Sequence, residues 1–97
     1  MKTYVILRRG GWESAEALRE AAERSAATAE QMGEDVVWIR SYVLAETNGE
    51  VGTVCIYQAS SPEAIRRHAS AAELPVDEII SVVDTVILRP DPEPVAA

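Results

Sequence analysis

Trp38, Arg40 and Tyr42 alternate along one stretch of this 97-residue chain, and Cys55 and Tyr57 alternate along the next. Rings give apolar contact, phenol hydroxyls orient polar atoms, and a guanidinium grips an anion. At a spacing of two on adjacent strands these side chains share a face, where they could line a pocket for a small, partly apolar, anionic molecule. The plainer reading makes the same rings packing between two copies of the chain. His68, the single histidine, is the one side chain that titrates near neutrality without perturbation, so any proton transfer would fall to it. The plainer reading there is a hydrogen-bonded core residue. Cys55 has no second cysteine to pair with, and strand parity turns it away from the helix that carries His68, which disfavours a thiol–imidazole nucleophile and leaves a buried free thiol. No Cys/His cluster has metal-site spacing, so no metal ligand is assigned. Arg8-Arg9-Gly10-Gly11 could hold an anion beside two helix starts, but Glu13, Glu16 and Glu63 already complement those dipoles and can pair with the arginines.

The elements that must position these residues follow from periodicity. Lys2 to Arg8 alternates as a strand. Ser14 caps a helix in which Leu18, Ala21, Ala22, Ser25, Ala26, Ala29 and Met32 form one stripe, and Gly33 ends it. Val36 to Leu44 is a β-branched and aromatic strand, Asn48-Gly49 a hairpin signal, and Val51 to Gln58 a third strand. Ser60 and Glu63 have the spacing of a capping box, with Pro62 in the first turn of a second helix running to about Ala72. His68 falls on its inward stripe with Ala64, Ile65, Ala69 and Ala72, and Gln58 has the parity to be its neighbour. Ser81 to Arg89 reads as the fourth strand. Residues 1–89 then make one ferredoxin-like α+β domain, β-α-β-β-α-β, with a four-stranded antiparallel sheet. Residues 90–97, with prolines at 90, 92 and 94, form a tail laid over a neighbour or left mobile.

Both helices cover one face of such a sheet and leave the other bare. The aliphatic sets Val37, Ile39, Val43, Val54 and Ile56 are expected beneath the helices, which puts Trp38, Arg40, Tyr42, Thr53, Cys55 and Tyr57 on the bare face. On strand one either Tyr4 and Ile6 or Val5 and Leu7 join them. Burying each ring is worth roughly 2 kcal/mol, so the face predicts a homodimer of the dimeric α+β barrel type with a cavity between or beside the sheets. Arg40 within it needs a carboxylate, Asp84 or Glu93 of a second copy, or an anionic ligand.

Composition narrows the partners. The net charge of −7 argues against a nucleic-acid backbone. No apolar run approaches the ~20 residues that span a bilayer, and the N-terminal segment alternates as a strand with no small-residue cleavage site, so the chain is expected in the cytoplasm without a membrane partner.

Several segments resemble a known family: Trp38-Ile39-Arg40-Ser41-Tyr42-Val43, Cys55-Ile56-Tyr57-Gln58-Ala59, Glu63 to Ala69 and Leu74 to Ile79 are similar to the bacterial domain-of-unknown-function family 4242. The resemblance implies a ferredoxin-like fold, a dimer and, since some members are labelled nickel-binding, nickel as a cofactor. His68 and Tyr57 match the family's pattern. It implies a histidine where this chain has Arg40, and an acidic residue near Arg8; a guanidinium cannot ligate a metal. It also implies Glu where this chain has Gln58, which removes a proton acceptor. The leading expectation is a homodimeric binding module holding a small anionic molecule through Trp38, Arg40, Tyr42, Cys55, Tyr57 and His68. The alternatives are a cofactor-independent oxygenase or isomerase of the dimeric barrel type, and a nickel-binding protein.

Overall fold

The computed structural model describes residues 1–94, within which the chain runs β1 (Lys2–Trp12), α1 (Ala15–Gln31), β2 (Val36–Ala45), β3 (Val51–Ala59), α2 (Pro62–Ala71) and β4 (Glu78–Ser81). The four strands pair antiparallel in the order β2-β3-β1-β4. This is the expected α+β, ferredoxin-like arrangement. Residues 95–97 of the expected tail lie outside the described residues.

Local chemistry fixes the ends of the elements. The Ala17 amide donates to Ser14 Oγ at 3.2 Å to cap α1. On α2 the cap is Ser61, whose Oγ accepts from the Ala64 amide at 3.2 Å. Ser60, the expected cap, instead donates to Asp35 at 3.0 Å and tethers the start of α2 to the loop before β2. Between β2 and β3 the chain reverses at Asn48 and Gly49, with φ of 60° and 80°, the left-handed pair that Asn-Gly adopts most readily. Gly52 is required by a different constraint: a Cβ there would stand 2.5 Å from the Arg8 carbonyl oxygen, where β1 and β3 cross closely.

The core lies between sheet and helices and is built from Tyr4, Ile6, Val36, Cys55, Tyr57, Ala59, Ala64 and Ile65. Tyr57 identifies the covered face, because it hydrogen-bonds Ser25 of α1 and packs edge-on against His68 of α2. This overturns the expected sidedness of Trp38, Cys55 and Tyr57, all of which lie beneath the helices. Val54 and Ile56 lie on the opposite face, and so does Val37. The reason is steric: a helix whose sheet-side stripe is mostly alanine approaches closely at some points and leaves room for large rings at others, while β-branched residues fill the flatter, uncovered side. A bulge at Ile39 then shifts the register of β2 between Trp38 and Arg40. Arg40 and Tyr42 pair with Ile56 and Val54 on the uncovered face, whereas Trp38, Ser41 and Val43 face α1.

The fourth strand is also shorter and earlier than expected, Glu78–Ser81 rather than Ser81 to Arg89. Val5, Ile6 and Leu7 of β1 pair with Ile80, Ile79 and Glu78, and the ladder ends near Val82, whose amide donates to the Thr3 carbonyl at 3.0 Å. The chain then leaves the ladder and passes over the uncovered face as an irregular segment, with Val83 97% and Leu88 91% exposed.

Candidate functional site

The expected site residues fall into two groups separated by the sheet. On the uncovered face, Arg40 and Tyr42 rise from an apolar floor that includes Val5 and Ile56, and residues Val82 to Asp91 arch above them. The space between floor and arch is about 680 Å³, within the range of small-molecule sites. Both polar groups converge on one carboxylate: Asp91 accepts from the Arg40 guanidinium and from the Tyr42 hydroxyl. Within one copy the carboxylate that Arg40 meets is Asp91.

On the covered face, Tyr57 joins three elements. Its hydroxyl lies 3.0 Å from Ser25 Oγ, its ring stacks on Trp38 with centroids 6.2 Å apart, and it meets the His68 ring edge-on at 5.4 Å. Burial pushes the Tyr57 phenol above its ordinary value, against the Ser25 hydrogen bond, which favours ionisation. Trp38 is oriented by its own indole N–H, which donates to Ser41 Oγ at 2.8 Å. A cleft of about 90 Å³ opens beside these rings, walled by Trp12, Leu18, Ser25, Trp38, Cys55 and Tyr57. The Cys55 thiol in that wall donates to Thr53 Oγ1 at 3.3 Å. Cys55 and His68 therefore share a face after all. Gln58 does not, being exposed on the uncovered side, so it is no neighbour of His68.

His68 is fully buried, as its place on the inward stripe of α2 implied. Its Nε2 lies 3.0 Å from the Ser25 carbonyl oxygen, and its Nδ1 has no hydrogen-bond partner. Burial holds its pKa below the ordinary imidazole value; the Ser25 carbonyl opposes that shift and the Arg8 guanidinium adds to it.

Arg8 is the residue that sequence reasoning missed. Its sequence context reads as an edge anion site with Arg9, yet it is only 1% exposed and belongs to the buried series of β1. Its Nη1 donates to the Pro75 carbonyl at 2.7 Å, while Nη2 has no partner. The available signal was parity, since Arg8 continues the Tyr4 and Ile6 series on β1. Arg9 goes the other way and pairs with Glu46 at 2.9 Å, while its amide donates to Asp77. Glu46 and Asp77, rather than the helix-start glutamates, occupy that edge.

A family model described as nickel responsive protein, SCO4226-like, matches residues 4–82. The chain belongs to this SCO4226-like family. It is similar to the crystal structure of SCO4226 from Streptomyces coelicolor A3(2), with a TM-score of 0.67 and 21% identity over 87% of this chain and 99% of that one, a likeness that supports the fold. No curated protein matches the chain. The match carries the SCO4226-like description and not the family number 4242. Nickel is implied by that description, and the side chains described here do not fit it within one copy: among the described residues no three His, Cys, Asp or Glu side chains come together to hold a metal ion. His68 has a free Nδ1, but the charge beside it is the cation Arg8, which repels a dication. Among the described residues, no helix is long and apolar enough to cross a membrane.

Proposed function

We propose that this member of the SCO4226-like family is a homodimeric binding module that holds a small, partly apolar, anionic molecule on the uncovered face of its sheet. The observation that carries the reading is the convergence of Arg40 and Tyr42 on one carboxylate inside a largely apolar cavity of about 680 Å³. Asp91 stands in for the anionic group of a ligand: its carboxylate satisfies the guanidinium and the phenol as a ligand carboxylate would. Trp38, Tyr57, Cys55 and His68 lie beneath the helices and take no part in this cavity.

A second copy is favoured by the apolar residues this side of the molecule leaves in water. Val37, Ile39, Tyr42 and Ile80 of the sheet, and Val83, Val86, Ile87 and Leu88 of the arch, are all exposed. Fully burying each aliphatic side chain is worth about 1.5–3 kcal/mol, a strong drive for a patch of this size to find a partner.

Binding suits the geometry better than proton transfer, because His68 is sealed under α2 with Nε2 committed to Ser25. Nickel is the other ligand to test, on the strength of the family's description. Native mass spectrometry of the untagged protein reads subunit number, retained small molecules and metal in one spectrum. The expected species is a dimer carrying a small anionic adduct that Arg40→Ala loses. A dimer carrying stoichiometric nickel would replace this reading with a metal site shared between copies.

A further inference from the structure

We infer that the cleft between α1 and the sheet is a second binding site, on the opposite side of the sheet from Arg40, for a neutral, apolar molecule of single-ring size. The cleft measures about 90 Å³, and both tryptophans of the chain, Trp12 and Trp38, wall it together with Tyr57. Leu18 of α1 and Leu74, beyond the end of α2, complete its sides. Trp12, Leu18, Trp38 and Leu74 are each only half-buried, so four large apolar side chains around one space stay partly in water.

Two interruptions of the sheet bring these side chains together. In β1 the residues Arg9 to Gly11 stand opposite the single residue Gly52, which sets Trp12 against Val51; an unbroken ladder from Arg8 would carry Trp12 on to Gly49 in the turn. The crowding is tolerated because Gly10 takes a φ of 52° and Gly52 has no Cβ to strike the Arg8 carbonyl. In β2 the bulge at Ile39 brings Ser41 and Val43 to the side of Trp38, where the indole donates to Ser41 Oγ. Each interruption gives up ladder pairing, and both direct a tryptophan to the same cleft. Helix α1 keeps the space open, because it faces the rings with Ala21 and Ala22.

The wall defines the ligand. Among the described residues no charged side chain lines the cleft. Its hydroxyl and thiol groups are spent on one another or on Trp38: Ser25 on Tyr57 at 3.0 Å, Ser41 on the Trp38 indole at 2.8 Å, Cys55 on Thr53 at 3.3 Å. A charged or strongly polar guest would give up its hydration for groups that already have partners. A hydrocarbon gives up nothing and gains contact with two indoles and a phenol, which favour offset or edge-on meetings with another ring. Size sets the other limit. An enclosed apolar cavity of about 150 Å³ takes up benzene; this cleft is smaller but open on one side, so a single ring enters with one edge left outside. The class is the reverse of the anion proposed for the uncovered face.

The test is an NMR titration of the untagged, ¹³C,¹⁵N-labelled protein with benzene, beside the same titration with sodium benzoate. Benzene should shift the Leu18 and Leu74 methyl resonances and the Trp12 and Trp38 indole N–H resonances saturably. Benzoate should act on those resonances about tenfold more weakly or less, since its carboxylate finds no partner in the cleft. Ala22→Leu fills the space from α1 and should weaken benzene by about tenfold or more. Arg40→Ala should bind benzene as the wild type does, which separates this site from the one on the uncovered face. If Ala22→Leu does not fold, nuclear Overhauser contacts in the wild type decide: contacts from benzene to the Leu18 and Leu74 methyls support the site, and contacts to Val5 and Ile56 alone overturn it. Shifts that grow linearly up to the solubility limit of benzene, or benzoate binding as tightly as benzene at Leu18 and Leu74, would also overturn it.

Discussion

The imidazole of His68 meets α1 through a single atom of the backbone, with Nε2 3.0 Å from the carbonyl oxygen of Ser25. That contact fixes the tautomer and joins α2 to α1, while the Ser25 hydroxyl joins α1 to Tyr57 of β3. One serine therefore ties both helices and the sheet together.

Because burial depresses the pKa of His68 in the fold, the unfolded chain binds its proton more readily. The contribution of His68 is fully present above the unfolded value of about 6.5 and is lost as pH falls below it towards the depressed folded value. Urea unfolding should thus show a lower midpoint at pH 5.5 than at pH 7.5, and His68→Gln should flatten the slope in that window. A midpoint that rises on acidification would contradict the burial of a neutral imidazole.

Tyr57→Phe keeps the ring on Trp38 and removes the hydrogen bond to Ser25 Oγ. The expected loss is about 1–3 kcal/mol, since Ser25 is left buried with its hydroxyl unpaired. Ser25→Ala added to Tyr57→Phe should recover part of it, which a double-mutant cycle by chemical denaturation would measure.

Gly52→Ala places a methyl group where the Arg8 carbonyl already stands, and backbone cannot step aside as a side chain can. A loss of roughly 1–3 kcal/mol or more is expected from the forced displacement. Calorimetric unfolding checks it.

Much of this architecture was readable in the residues. Ser14, Asn48-Gly49 and the alternation of β1 to β3 act within a few residues of themselves, so local propensity placed them correctly. His68 was placed correctly because an alanine-rich stripe surrounds it. Sidedness was misjudged because it rested on the assumption that aliphatic residues seek the helices, when both faces of this sheet are apolar and rings such as Tyr4 and Tyr57 fit the helix side better. Nothing local marks the bulge at Ile39, which puts Arg40 and Trp38 on opposite faces despite their spacing of two. The ladder of β4 stops near Val82 because β1 offers no further partner, a fact about the other strand that Val83 to Leu88, apolar and β-branched as they are, do not reveal.

Asp91→Asn removes the carboxylate that holds Arg40 and Tyr42. Both Arg40 and Asp91 are well exposed, so stability should change by no more than about 1 kcal/mol. The larger expected effect is on binding: with the internal carboxylate gone, a small aromatic or aliphatic carboxylate should bind the uncovered face more tightly. Titration followed by NMR shifts at Arg40 and Ile56 would register it.

Sedimentation equilibrium of the wild type beside Ile56→Glu bears most directly on whether the uncovered face of the sheet is where this protein meets its partner. Ile56 sits at the centre of that face, opposite Arg40, so the variant should leave the helix-side core intact. The expected result is a dimer for the wild type and a folded monomer for Ile56→Glu. A wild type that stays monomeric at every concentration, or a variant that dimerises as well as the wild type, would contradict it.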